Sequence, residues 1–257
     1  MILPDANILQ PLIDVANAIL KFFHDNVGLS WGGAIIALTV TVRAILIPLT
    51  YKQLKGMRAL QALQPQIKEI QAKYKNDKQR MQQEMMRFYK ENKVNPLASC
   101  IPLIAQLPVF ITLFYTLRHE LPPDMGCPAA GHCAAYGGEF LFIHDLTAKA
   151  TGAELIVLIV LYVGTQLASG FFMSVTADKS QRTMMFLLPL IFVPFILNFP
   201  AGLILYWITT NIWTIGQALV IQRIVPAPVA ATPEGAAAIA AAKPPPPPPK
   251  KRKKRRR

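Results

Sequence analysis

Acidic residues are scarce in this sequence, 14 Asp and Glu against 27 Lys and Arg, and none of the 14 lies inside a long apolar run. That scarcity excludes an intramembrane proton relay or a catalytic carboxylate pair, because both need acids at depth. Long alternating apolar and polar stretches are also lacking, which argues against a spanning β-barrel. No glycine-rich loop ending in Lys-Ser/Thr is present to cradle a nucleotide phosphate. Neither a nucleophile–base set nor a zinc-binding helix can be assembled. The sequence therefore reads as a protein that is not an enzyme and carries no cofactor.

What is present is apolar sequence in blocks. Hydrophobic residues make up 53% of the 257 residues, and they cluster in runs of roughly 20, the length that crosses ~30 Å of hydrocarbon at ~1.5 Å per residue. Spans are read at residues 29–50, 97–117, 154–175, 183–199 and 202–221. The last two are separated only by Asn198-Phe199-Pro200-Ala201-Gly202, a tight turn that makes them an antiparallel hairpin. The fold class is an all-α integral membrane protein with five transmembrane helices.

The formal net charge of +13 is unevenly placed. Residues 51–95 carry 11 Lys and Arg against four acids, and residues 223–257 carry 10 against one. Residues 119–154 hold one Lys against five acids, and residues 1–30 one Lys against three. Basic loops stay in the cytoplasm, so the N-terminus is expected outside and the C-terminus inside, which requires an odd number of spans. Three spans would also satisfy parity but would leave clear apolar runs unplaced. The first 30 residues lack a basic n-region followed by a small-residue cleavage site, so no secretory signal peptide is read there.

The chain then divides into residues 1–28, a core over 29–222 that includes a hairpin at 51–95 and an outer loop at 118–153, and a tail at 223–257. In the first segment Ile8, Leu9, Leu12, Ile13, Ala16, Ile19, Leu20 and Phe23 recur at helical spacing. This amphipathic helix either lies on the outer membrane face or packs on the bundle. In the hairpin, Leu60, Leu63, Ile67, Ile70 and Tyr74 follow the 3-4 seam spacing of paired helices. Asn76-Asp77 gives a turn and N-cap, and Met81, Met85 and Phe88 form a second stripe. This hairpin projects into the cytoplasm, either self-packed or presenting Met81, Met85 and Met86 as an adaptable surface.

Of three cysteines, Cys100 falls in a span and reads as a small packing residue. Cys127 and Cys133 fall in the outer loop, where an oxidising compartment permits a disulfide. Metal binding with His132 between them would lack its remaining ligands, so no metal is expected. Beyond Val225 the chain turns Pro- and Ala-rich and ends in Lys250, Lys251, Arg252, Lys253, Lys254, Arg255, Arg256 and Arg257. No packed core can form there. The terminal run reads as a polyanion contact, to ribosomal RNA phosphates or anionic lipids, in preference to a bare topology anchor.

Arg43 is the most informative residue. It lies within a span, seven residues before Thr50, about 10 Å from the inner boundary at helical rise. A charge inside a span costs at least ~2.5 kcal/mol and is expected to face a polar cavity. Thr39, one turn earlier, shares its face. With no acid in another span interior, the partners open to Arg43 are neutral: Gln106, Gln166, Asn211, Gln217, hydroxyls and water. Snorkelling to the inner headgroups is the plainer alternative.

Three stretches carry a family resemblance: TVTVRAILIPLT, QRMQQEMMRFYKENKVNPLASCIPLIAQLPVF and LLPLIFVPFILNFPAGLILYWITTN. In motifs, spacing and span order, roughly residues 29–223 resemble the YidC membrane insertase family, in a five-span form without an additional N-terminal span and large periplasmic domain. The resemblance implies five core helices around a hydrophilic groove that opens to the cytoplasm and lipid. It implies a location in the bacterial plasma (inner) membrane and a chaperone-like role. Newly made membrane proteins would be inserted and folded there, alone or beside the Sec translocon, with the ribosome and lipids as further partners. By residue, Arg43 matches the groove arginine, Thr39 the polar position above it and Trp207 the aromatic position of the last span. Gln166 is a looser match, and Asn211 is grouped with these as a client-binding groove residue. The second and fourth spans resemble the apolar path along which clients slide. A small-solute or anion transporter is the alternative, but the inverted repeats and broken helices it calls for are not found.

Overall fold

The computed structural model describes residues 9–51, 56, 60, 63–92, 94, 101–173 and 179–224. The basic tail, Cys100 and the first eight residues lie outside them, as do the expected span ends at 97–100 and 174–175. Among the described residues the chain is helical, with isolated bridges at Phe140–Ile143 and Lys149–Pro200 and no strand.

Helix α1 (Gln10–Lys21) has Pro11 in its first turn, where a missing N–H costs nothing. It buries Ile13, Ala16 and Leu20 against the bundle and leaves Leu12 and Val15 exposed. On that face the helix packs on α2 (Trp31–Ile45), as the second reading of this segment has it. Helix α2 starts at an N-cap serine, Ser30, whose hydroxyl accepts from the Gly33 N–H at 3.3 Å. It ends at Ile45. Pro48 cannot donate to the carbonyl four residues back and its ring crowds that turn, so a separate helical turn follows at 47–51.

The hairpin contains α3 (Gln64–Lys73) and α4 (Lys78–Glu91). Asp77 caps α4 by accepting from the Arg80 N–H at 3.0 Å. Tyr74 lies under the cations of Lys73 and Arg80, and Ile67 is buried between the helices. Met81 and Met85 are half-buried, whereas Met86 is exposed. Partial burial lifts the Tyr89 phenol above its ordinary range.

The apolar helices follow: α5 (Ile101–Tyr115), α7 (Gly152–Met173), α8 (Lys179–Ile196) and α9 (Ala201–Ile224), with the short α6 (Leu121–Met125) between the first two. Two of them, over Gly152–Phe172 and Ala201–Val220, are long and apolar enough to cross a membrane, and Trp31–Ile45 is apolar but shorter. Helix α9 is central and packs on α7 and α2. Its first turn is fully buried, with Ala201, Leu203 and Ile204 in the core.

Residues 118–153, read from sequence as a loop, form a folded cap on that buried end. Asp145 is only 6% exposed. Its carboxylate accepts from the Cys133 N–H at 2.8 Å, the Thr147 N–H at 2.8 Å and the Thr147 hydroxyl at 2.7 Å. A disulfide joins Cys127 to Cys133. The Leu146 carbonyl accepts from the Gly202 N–H at 2.8 Å, and that of Ala148 from the Ala201 N–H at 2.7 Å. Two of the N–H groups that begin α9 are thereby satisfied. Gly202 is required here: a Cβ would lie 2.9 Å from the Leu146 oxygen and 3.3 Å from Ile35 Cδ1. Lys21 of α1 pairs with Asp124 at 2.5 Å, tying the N-terminal helix to the same cap.

Candidate polar site of the helix bundle

Arg43 stands in the last turn of α2, two residues before its last residue, Ile45. The free carbonyl ends of a helix favour a cation there, by roughly 0.3–1 kcal/mol in exposed settings. The charge is thus placed where α2 itself helps to hold it, and the break expected at Pro48 falls just beyond it, inside the span read at 29–50. The side chain is half-buried.

Its partner comes from α5. Arg43 donates through Nη2 to Oε1 of Gln106 at 3.2 Å. Gln106 in turn donates through Nε2 to the Tyr206 hydroxyl oxygen of α9. Three helices distant in sequence are joined by one chain of side chains. Among the described residues, ion pairs fall at Lys21–Asp124, Arg87–Glu91 and His144–Glu139, none of them at Arg43.

Thr39 lies one turn before Arg43 but is 1% exposed, and its hydroxyl donates to the Ile35 carbonyl at 2.7 Å. It faces the packed interior with its donor already used. Trp207 is half-buried at the centre of an aromatic cluster. It stacks on Phe110 at 5.3 Å and 14°, and meets Phe192, Phe199 and Tyr162 at about 6 Å. Offset and edge contacts of this kind add ~0.5–1.5 kcal/mol each beyond burial. Gln106 and Phe110 are one turn apart on α5, and they meet Tyr206 and Trp207, neighbours on α9. One helix pair therefore carries a polar contact and an aromatic contact side by side.

A second polar contact links α9 to α7. Asn211, 5% exposed, donates to the Thr165 hydroxyl at 3.2 Å, and that hydroxyl donates to the Leu161 carbonyl at 2.7 Å. Gln166 follows Thr165 and is half-buried. Arg43 and Asn211 thus belong to separate contacts on different sides of α9. Tyr206 was missing from the sequence reading. The available signal was a phenol beside Trp207 inside an apolar run, since a buried Tyr hydroxyl needs a partner.

The arrangement can hold one positive charge by a neutral amide inside a helical bundle whose α9 start is capped. Guanidinium has five N–H donors; the Gln106 contact occupies one of them.

The family model described as 60Kd inner membrane protein matches residues 22–228. A protein of Streptomyces avermitilis named membrane protein insertase YidC is 37% identical over 234 residues, covering 81% of this chain and 55% of that protein. One of the same name from Mannheimia succiniciproducens is 38% identical over 216 residues, covering 84% of this chain and 37% of its own. A solved structure described as an active YidC insertase, with its first transmembrane domain resolved, superposes with a TM-score of 0.63 at 26% identity. The match covers 82% of this chain and 46% of that one. The chain spans about half the length, or less, of the relatives it matches.

Proposed function

The chain belongs to the 60Kd inner membrane protein family, and we propose that it is a membrane protein insertase that helps newly made proteins enter and fold in the bacterial inner membrane. The observation that carries this reading is the state of Arg43: a half-buried cation held by the neutral Gln106 rather than by a carboxylate. A relay or structural ion pair would neutralise the charge. An amide leaves it whole, and among the described residues Gln106 takes only one of its donors, which suits an acidic group arriving from outside the bundle.

In this reading five spans surround a groove open to the cytoplasm and lipid, lined by Arg43, Gln166 and Trp207, with Thr39 and Asn211 packed in the helix contacts behind its wall. The polar N-terminal tail of a client is drawn inward by the cation. Its apolar segment then partitions into lipid beside the second and fourth spans, gaining about 25 cal/mol per Å² buried, and that gain drives insertion without a nucleotide. Orientation with the N-terminus outside and C-terminus in the cytoplasm is supported by the basic segments at 51–95 and 223–257. The disulfide of the cap supports the same placement, since disulfides persist outside the reducing cytoplasm. The basic tail would contact ribosomal RNA phosphates or anionic lipid, and the Sec translocon is a further partner.

Reconstitution into sealed vesicles tests this. A single-span client should become protected from added protease when the protein is present, with no accompanying anion flux. Flux without insertion would move the protein to the transporter class.

A further inference from the structure

We propose that Tyr206 is a positioning residue that fixes the direction of the Arg43 guanidinium, acting through the Gln106 amide. The proposal rests on the insertase reading for its consequence, but its geometry stands on three side chains.

A glutamine amide has two faces, an acceptor oxygen and a donor NH2, and its orientation is decided by its neighbours. Guanidinium offers donors only. Gln106 can therefore meet Arg43 favourably through Oε1 alone; the flipped amide would set donor against donor. The donor-only guanidinium thus selects Oε1, and what anchors the amide in place is on its other side, where Nε2 donates to the Tyr206 oxygen. Tyr206 is 3% exposed and sits in the buried first half of α9, so packing holds its ring and hydroxyl in place. All the bonds run one way, from guanidinium to amide oxygen and from amide nitrogen to phenol oxygen. Chains aligned like this polarise one another. The phenol supplies no charge and does not reach Arg43 by any direct hydrogen bond. Its part is to tether the amide beside Arg43, and so to hold the guanidinium in one direction with its uncommitted donors presented to an incoming acidic tail.

Tyr206→Phe removes only the hydroxyl. Insertion into vesicles should be measured for a client with an acidic N-terminal tail and for the same client with Asn and Gln in place of its acids. Losing one hydrogen bond that orients a charge should slow the acidic client about fivefold, the rate equivalent of roughly 1 kcal/mol, and leave the neutral client unchanged. Gln106→Ala should slow the acidic client similarly, and the double variant should be no slower than Gln106→Ala, since both act through one amide. Equal slowing of both clients, additive losses, or no loss would overturn the proposal. Modification of Arg43 by phenylglyoxal, followed by mass spectrometry of its peptide, gives a readout independent of insertion. It should run several-fold faster in Tyr206→Phe than in the parent, and an unchanged rate would overturn the positioning role. If the parent inserts neither client, the insertase reading fails while the modification rates still decide the role of Tyr206.

Discussion

Arg43 and Gln106 stand 63 positions apart in sequence and meet at 3.2 Å, cation to amide oxygen, joining α2 to α5. The partner's neutrality is the feature on which the proposed function rests. Breaking such a contact costs modestly: hydrogen bonds between membrane helices average about 0.6 kcal/mol and reach roughly 2 kcal/mol. In the proposed function its value lies in leaving the charge without a carboxylate partner among the described residues.

Gln106→Glu separates charge from structure. A carboxylate at this position would pair with Arg43, and the Tyr206 hydroxyl would turn to donate to it. Thermal stability in detergent is expected to be equal to or above that of the parent, while insertion of acidic-tailed clients falls by at least tenfold. Retained insertion with a stable ion pair would show that the free charge is not required.

The cap makes a different prediction. Replacing Cys127 and Cys133 by Ser opens a short covalent loop around the Asp145 network, and the chain-entropy estimate for so short a loop is about 2 kcal/mol. The midpoint of thermal unfolding should fall by several degrees, and Gly202 amide exchange should quicken because the Leu146 carbonyl that holds it is anchored by the same cap. An unchanged midpoint would mean that the three hydrogen bonds to Asp145 suffice.

Deleting residues 250–257 should weaken association with ribosomes without altering helicity. Eight adjacent cations release counterions on meeting phosphate, so the difference between full-length and truncated protein should be largest at low salt and shrink as salt rises. Equal binding at low salt would leave lipid as the tail's contact.

Much of the architecture is legible in the sequence because apolar runs near 20 residues have few alternatives to helix, and the helices fall where those runs are. The details that depend on tertiary partners are less so. Pro48 signals a break, but the stop at Ile45 that puts Arg43 in a helix's last turn follows from crowding upstream of the proline ring. Spacing puts Thr39 on the same face as Arg43, yet it cannot say that the hydroxyl bonds back to Ile35 in a packed interior. The cap is the hardest to read. Its short helices and the Asp145 cluster have no periodicity, and the pairing of Leu146 with Gly202 is visible only once the chain is folded. Gln106 was among several neutral candidates for Arg43; which one, and that Tyr206 holds it, is a matter of helix crossing and not of sequence.

The central claim is that Arg43 acts through its charge, and its most direct measurement is insertion by Arg43→Lys and Arg43→Ala, each with an acidic and a neutral client, beside the thermal stability of both variants. Lys keeps the charge but loses the planar fork of donors, so with the acidic client it should lose no more than the roughly fivefold expected of Tyr206→Phe, while Ala loses at least about tenfold. The two variants should differ little with the neutral client. Equal loss in Lys and Ala, present with the neutral client too and accompanied by a lowered midpoint in both, would contradict the account and make Arg43 a structural tie between α2 and α5.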